Sequence, residues 1–298
     1  MSEALTIAVV GGGIVGVSTA LWLRRDGHAV TLYDRIVPGD PAQTSYGNAG
    51  LLARSSVIPV PTPGLMKNIP KMLFGKDGPL FMRWSYLPKL MPWLIPFLRT
   101  AKPETVRQTA TALTEILGDA VDQHVALARG TDAEKYIRTG SYIFLYKDRT
   151  AYGKDSFGFE LRRELGFTFE EMDRNALLEN DPNLGPEQGF GMAASDHGWI
   201  VNPSAYVSAL CDEFRKLGGQ FVHTEVDDIV ADGNGGSLSV RGESRRFDRI
   251  IVTSGVWSRR LAEGLGHTVP MESERGYHIM LKESNITPPC PYMIAGDK

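Results

Sequence analysis

The chain has 298 residues, with 32 basic and 35 acidic side chains and a net charge of -3. Its 42% hydrophobic and 22% charged residues are a globular composition, which excludes a disordered or fibrous protein, and the charge balance gives no reason to expect a nucleic-acid partner. Two cysteines, Cys211 and Cys290, exclude a disulfide scaffold and a four-cysteine zinc site and fit a reducing compartment.

The N-terminus carries Glu3 in place of a basic cluster, and the apolar run Ile7–Val10 stops at three glycines, so no export signal is read there. Thr6–Val10 reads as a strand, Ile14–Arg25 has helical spacing, and Ala29–Tyr33 reads as a second strand. Within this βαβ unit Gly11, Gly13 and Gly16 make G-x-G-x-x-G. Gly11 permits the tight turn, Gly13 lets a pyrophosphate approach the backbone, and Gly16 lets helix and strand pack closely. The pyrophosphate would rest on the first helical turn, at Ile14 and Val15. Asp34 follows Gly11 by 23 positions, where a carboxylate can accept both hydrogen bonds of an adenosine ribose diol. Asp34 argues against a 2′-phosphate at this point, while Arg35 beside it argues the other way. The unit alone does not separate FAD from NAD.

Eleven of the 18 prolines lie between Pro38 and Pro103, which predicts loops and interrupted helices. Within this stretch Trp84–Leu98 is apolar but shorter than a membrane span; it reads as a broken, partly buried helix, with a surface-seeking helix as the other reading. Glu104–Arg129 has the spacing of one long amphipathic helix. A strand is predicted over Gly140–Lys147, and helical pieces over Phe159–Gly166 and Arg174–Glu179. Glu170-Glu171 is read as a solvated pair at a helix end, and His197 as a loop residue with no second histidine or cysteine at metal spacing. Asn202-Pro203-Ser204 opens a helix, Ala205–Leu217, that Gly218-Gly219 ends. Short strands are predicted at Gln220–His223, Val226–Ala231, Ser237–Val240 and Arg249–Thr253, and a further one at Arg275–Lys282. No nucleophile elbow is present. The alternation predicts an α/β cofactor domain interleaved with a second, α+β part.

Three more segments join the glycine loop. One is Gln43-Thr44-Ser45-Tyr46-Gly47-Asn48-Ala49-Gly50-Leu51-Leu52. Another is Gly198-Trp199-Ile200-Val201-Asn202-Pro203, with Gly218-Gly219 and Val226-Asp227-Asp228-Ile229 after it. The last is Ile251-Val252-Thr253-Ser254-Gly255-Val256-Trp257-Ser258, followed by Gly266-His267-Thr268-Val269-Pro270-Met271-Glu272-Ser273-Glu274-Arg275-Gly276-Tyr277-His278. Together they resemble the FAD-dependent D-amino-acid oxidase superfamily, nearest its D-amino-acid dehydrogenase small-subunit type. The resemblance runs from Ile7 to the last residue and is least specific over Pro59–Arg174. Ser254-Gly255 departs from the more usual Ala-Gly or Gly-Gly.

The resemblance implies a Rossmann-like FAD domain, residues 1–57 and 198–269, interleaved with a mixed-sheet substrate domain, residues 58–197 and 270–298. Gly11, Gly13 and Gly16 would hold the FAD pyrophosphate and Asp34 the ribose. Thr44 and Ser45 would reach the phosphates and ribityl chain. Asn48, Ala49 and Gly50 would pass the isoalloxazine ring, and Val226 would meet the adenine through its backbone. Ser254-Gly255 would pack under the cofactor with Trp257 behind. The implied reaction is oxidation of a D-amino acid, or of an amine of the D-proline or hydroxyproline kind. Hydride passes to flavin N5, giving a 2-oxo acid and ammonia or a cyclic imine.

A guanidinium suits the substrate carboxylate because it donates two parallel hydrogen bonds, which points to Arg275. Tyr277, two residues on, would share its strand face, and His278 would turn away as a structural residue. Against these stand plainer readings: Arg275 in a domain-interface salt bridge, Tyr277 as a core aromatic, Asn48 as a turn cap. The family also continues beyond the equivalent of Lys298 with a segment over the flavin. A cofactor-binding remnant without turnover, and an NAD-linked reductase on the same βαβ unit, are therefore the alternative expectations. The expected setting is cytoplasmic, with at most peripheral association with the inner face of the cytoplasmic membrane, a quinone among the candidate electron acceptors, and no nucleic acid or metal.

Overall fold

The structure, a computed structural model, describes residues 3–63, 84–273 and 276–295. β1 (Thr6–Val10), α1 (Ile14–Arg25) and β2 (Ala29–Asp34) form the expected βαβ unit. β3 is the short pair Leu51–Leu52. Three helices follow: α2 (Leu87–Arg99), α3 (Pro103–Leu117) and α4 (Ala120–Ala128). Next come β4 (Ile137–Tyr146), α5 (Arg149–Gly153), α6 (Ser156–Glu164), β5 (Glu170–Asp173), α7 (Arg174–Asn180) and β6 (Phe190–Ile200). α8 (Pro203–Lys216) leads into β7 (Gln220–His223), β8 (Asp228–Ala231), β9 (Gly236–Val240), β10 (Glu243–Phe247) and β11 (Arg249–Val252). α9 (Ser258–Gly264) and β12 (Tyr292–Ile294) complete the order.

The chain divides into two compact units. The first comprises residues 1–50, 123–138 and 200–279. Its main sheet has the order β11-β1-β2-β7 with parallel pairings throughout. Ile7–Val10 are all buried, as expected of a central parallel strand covered on both faces. α1 lays Val17, Ala20 and Leu21 inward, and its last turn is tied to the end of α8 by Arg24 Nε donating to the Leu217 carbonyl at 2.7 Å. α8 starts on Asn202, whose Oδ1 accepts the Ala205 N–H at 3.0 Å, with Pro203 in its first turn. A second, antiparallel sheet has the order β10-β9-β8, and its Leu238 and Val240 join Ala8, Val10 and Tyr33 in one core. Arg241 and Gly242 connect β9 to β10 with φ of 52° and 81°, the paired positive values of a tight type I′ hairpin. β10 was not anticipated, because Glu243-Ser244-Arg245-Arg246 is exposed and carries no apolar alternation.

The second unit comprises residues 51–122, 139–199 and 280–298. It is built on a mixed sheet of order β12-β4-β6-β3, with β5 paired to β6. Alternation along β4 gives the sheet two unlike faces. Tyr142, Phe144 and Tyr146 pack with Tyr152, Phe159 and Met192, whereas Ile143 and Leu145 pack with Leu177, Ala193 and Cys290. The aromatic face is locked by edge-to-face contacts such as Phe144–Phe159, with ring centres 5.2 Å apart.

Several sequence expectations change. The single helix over Glu104–Arg129 is two helices, α3 and α4. The Gly118 carbonyl at the break accepts from Arg54 Nε, a partner from outside the helix. The stretch Trp84–Leu98 contains one helix, α2, with Pro92 and Pro96 inside it, and none of its residues is buried. Glu170-Glu171 lies in β5, where Glu171 pairs with Arg149 at 2.8 Å. His197 lies in β6, whose glycines and Ser195-Asp196 hide a strand that pairing with β5 and β3 enforces. Residues 276–282 form no strand, so the shared-face argument for Tyr277 does not hold. Residues 123–138 belong with the first unit, held by the His124–Tyr206 contact at 2.9 Å and the Lys216–Asp132 pair at 3.1 Å. No helix among the described residues is long and apolar enough to cross a membrane.

His197 and His124 carry a pH dependence. His197 is 1% exposed, and its Nε2 accepts the Ser55 N–H at 3.2 Å and lies 2.9 Å from Ser55 Oγ. Burial pushes both imidazoles below their ordinary value near 6.5, although Asp196 opposes the shift at His197. Below pH ~6.5 the unfolded chain therefore takes up protons that the folded chain refuses. The stability due to the neutral rings is complete above that pH and declines beneath it. Thermal melts should show Tm falling from about pH 7.5 to about pH 5.5, with a shallower fall in His197→Gln.

Candidate functional site

The first unit gathers its conspicuous chemistry at the carboxyl ends of β1, β2 and β11. β1 ends at Val10, and Gly11 turns the chain with φ +114° while its N–H donates to the Tyr33 carbonyl at 2.8 Å. A Cβ on Gly16 would sit 1.7 Å from the Gly11 carbonyl oxygen, so helix and strand touch backbone to backbone there. Gly13 is the N-cap of α1 and provides no side-chain cap, and the first turn holds no acidic residue. Ser45 Oγ accepts the Ile14 N–H at 3.0 Å. Val15 is 62% exposed. This helix start combines the N–H groups of the first turn, of which Ser45 Oγ takes that of Ile14, with a positive dipole end, and the missing Cβ at Gly13 leaves room for an anion. The residues present therefore fit a dinucleotide pyrophosphate.

Asp34 is held hard. Its Oδ2 accepts the Gly12 N–H at 2.5 Å and its Oδ1 accepts the Ile36 N–H at 2.8 Å. Gln43, which the sequence reading gave no role, is buried at the centre of this arrangement. Its Nε2 donates to the Gly12 carbonyl at 3.1 Å and reaches Asp34 Oδ2 at 3.4 Å, while its Oε1 accepts the Gly39 N–H at 2.9 Å. Three of the roughly four acceptor positions of the carboxylate are thus occupied. One is left for a ribose, where the sequence reading expected two. Thr253 was also missed: its Oγ1 lies 3.1 and 3.0 Å from the Val10 and Gly11 carbonyls and ties β11 to the loop. Both residues sat inside the quoted segments, but their partners are not local.

Arg35 stacks over Trp257 at 4.5 Å and lies 3.9 Å from Glu225, which is 3.8 Å from Arg260. Its charge is shared, which weakens the argument for a 2′-phosphate. The Val226 carbonyl accepts from Arg260 at 3.3 Å, and Glu225 links Arg260 to Arg35, so Val226 and Trp257 lie in one neighbourhood. Asn48 Oδ1 accepts the Gly50 N–H at 2.7 Å, which is the turn-cap geometry of the plainer reading. Gly50 has φ +72°, and a Cβ there would meet the Ile200 carbonyl oxygen at 2.4 Å. Thr44 and Ala49 are exposed. Ser254 Oγ lies 3.2 Å from Ser258 Oγ, and Gly255 opens the short 3₁₀ turn that contains Trp257. Tyr277 is 89% exposed, and Arg275 lies outside the described residues. His278 meets the Thr44–Gly50 segment, with its ring centre 6.4 Å from that of Tyr46.

Gln43→Leu tests the reading of Asp34. It would leave the Gly12 carbonyl and Gly39 N–H without their buried partner, at a cost of ~1–3 kcal/mol. The expected result is a lower Tm and weaker retention of an adenine dinucleotide in equilibrium dialysis, with Gln43→Glu intermediate.

The family pattern described as DAO, FAD dependent oxidoreductase, matches residues 6–297. The chain is 35% identical, over all of its length, to the D-amino-acid oxidase of Bradyrhizobium diazoefficiens and covers 71% of that protein. It is 25% identical over 92% of its length to the D-amino acid dehydrogenase of Phenylobacterium zucineum and covers 65% of it. Among solved structures, glycine oxidase from Geobacillus kaustophilus superposes with a TM-score of 0.58 at 19% identity, over 89% of this chain and 59% of that one. The last likeness concerns the fold alone.

Proposed function

Since the chain belongs to the DAO family of FAD-dependent oxidoreductases, we propose that it carries the cofactor site, and residues that grip the substrate, for oxidation of a D-amino acid at its CH–NH bond. The observation that carries this reading is the glycine-lined start of α1, whose N-cap Gly13 offers no side chain, beside the fixed carboxylate of Asp34. FAD, when bound, accepts a hydride from the substrate α-carbon. What remains for the chain is to bind and aim.

The N–H groups of α1 and the Cβ-free backbone at Gly13 receive the pyrophosphate, the close backbone packing at Gly11 and Gly16 holds that helix start in place, and Ser45 steadies Ile14. Asp34 contributes one acceptor to the ribose, and Arg35 with Trp257 borders the adenine end near Val226. Asn48 to Gly50, pinned to Ile200 through the Gly50 carbonyl at 2.7 Å, form the surface along the ring, with Ser254 and Gly255 beneath. Arg275 is assigned the substrate carboxylate, because a guanidinium donates two parallel hydrogen bonds, and Tyr277 is kept as a candidate for the substrate without the strand-face argument. Water then hydrolyses the imino acid to a 2-oxo acid and ammonia, while a cyclic amine stops at the imine.

A spectrum of the purified protein between about 300 and about 550 nm tests the reading, followed by anaerobic D-alanine or D-proline. The expected result is a pair of flavin bands that bleach with a D-amino acid and not with its L enantiomer. A colourless protein that takes up no added FAD would overturn the cofactor assignment. Flavin bands that no amino acid bleaches would overturn the substrate assignment alone.

A further inference from the structure

The hairpin that joins β8 to β9 runs Ala231-Asp232-Gly233-Asn234-Gly235-Gly236. Of the eight asparagines in the chain, Asn234 is the one followed by glycine. That order matters chemically. A main-chain nitrogen one residue after an asparagine can attack its carboxamide, and a successor without Cβ hinders the approach least. The fold requires this glycine for a reason of its own. Gly235 has φ +154°, and a Cβ there would meet the Phe247 carbonyl oxygen at 2.5 Å. The pairing of β10 with β9 therefore keeps a glycine behind Asn234.

Local bonding leaves the two groups available to each other. Asn234 is exposed, and among the described residues neither its side-chain amide nor the Gly235 N–H has a hydrogen-bond partner. The Asn234 N–H donates to Asp232 Oδ1 at 3.1 Å and the Asp232 N–H to the Gly235 carbonyl at 3.3 Å, which closes the turn around the pair. Other asparagines are engaged. Asn48 Oδ1 accepts the Gly50 N–H at 2.7 Å, and Asn202 Oδ1 caps α8 ahead of Pro203, which has no N–H to attack with. Asp232-Gly233 has the same spacing, but its side chain is a carboxylate paired with Arg246, and a carboxylate is a weak acyl acceptor.

We propose that Asn234 is a self-modification site, which loses ammonia to attack by the Gly235 nitrogen and becomes a mixture of aspartate and isoaspartate. The bond from the Gly235 nitrogen to Asn234 Cγ forms as the Cγ–Nδ2 bond breaks, and the Gly235 proton leaves with the ammonia. Water then opens the five-membered imide. Cleavage of the new bond to Cγ gives aspartate. Cleavage of the original peptide bond gives isoaspartate, with the main chain running through Cβ and Cγ. No electrons are exchanged, and a neutral amide is replaced by a carboxylate. Isoaspartate lengthens the main chain where Gly235 has no spare room against Phe247. The turn lies beside Asp248, whose Oδ2 accepts the Thr6 N–H at 2.7 Å at the opposite end of β1 from Gly11. The proposal is independent of the cofactor and substrate assignments.

The test is storage of the whole purified protein at neutral pH in water enriched in oxygen-18, then digestion in ordinary water and mass spectrometry of the tryptic peptide 217–241. A gain of about 3 Da at residue 234 is expected, since one amide nitrogen is exchanged for one heavy oxygen during storage. The product should divide between aspartate and isoaspartate forms, and should appear at least about tenfold faster than at any other asparagine. Asn234→Gln, whose longer side chain would have to close a six-membered ring, should react at least about tenfold more slowly. No gain at residue 234 in the time that half of a free peptide of the same sequence converts would overturn the proposal, because the fold would then hold the groups apart. Aspartate as the sole product would also overturn it, since direct hydrolysis bypasses the imide. Reaction of the Asn234→Gln protein at the wild-type rate would overturn it as well.

Discussion

Replacing Gly16 with alanine is expected to empty the protein of cofactor and to lower its stability by ~3 kcal/mol, a drop in Tm of roughly 5–10 °C. The single added carbon would sit 1.7 Å from the Gly11 carbonyl oxygen and 2.7 Å from Thr253 Oγ1. The first obstacle is backbone, so no rotamer change relieves it, and α1 has to move off β1. That movement withdraws the N–H groups of the first turn from the position an anion would take. The check is the ratio of flavin to protein absorbance after purification, together with a melt. Gly153→Ala is the control: no heavy atom lies within 4 Å of its would-be Cβ, and flavin content and Tm should hold or rise slightly. A Gly16→Ala protein with wild-type flavin content would remove the glycine loop from the site.

The second large effect is expected at Arg275. Arg275→Ala should cut kcat/KM by roughly 100- to 1000-fold while flavin content stays unchanged, since it removes the two parallel charge-assisted hydrogen bonds proposed for the substrate carboxylate. Arg275→Lys should recover part of the loss, because an ammonium keeps the charge but cannot donate two parallel bonds. Both effects read a clamp that touches substrate and not cofactor. Joint loss of flavin and activity would instead assign Arg275 a structural role. Tyr277→Phe is the natural companion, and a KM rise with kcat preserved would place its hydroxyl on the bound substrate.

The βαβ unit was legible because everything that makes it is local. The apolar run Ile7–Val10, the turn-permitting Gly11 and the spacing Val17, Ala20, Leu21 lie within a few residues of one another, and the observed α1 has the expected bounds. The same holds for α8, where Asn202 and Pro203 act on their own next turn. Where local preference was silent or misleading, long-range partners decided. β6 became a strand through neighbours, not propensity, and carried His197 into the interior. The amphipathic spacing across Gly118 was real, yet Arg54, 64 residues away, takes the Gly118 carbonyl at the break.

The sequence by itself determined the family, the glycine turn between β1 and α1 and the placement of Asp34 at the end of β2, since glycine spacing constrains φ, ψ and close approach without reference to the rest of the chain. Only the tertiary structure decided what surrounds that loop. Gln43 meets Gly12 across 31 positions and Thr253 meets Val10 across 243, and no periodicity encodes such pairs. It also decided that α2 is unburied, because amphipathicity states that a face needs cover and leaves open whether protein or lipid provides it.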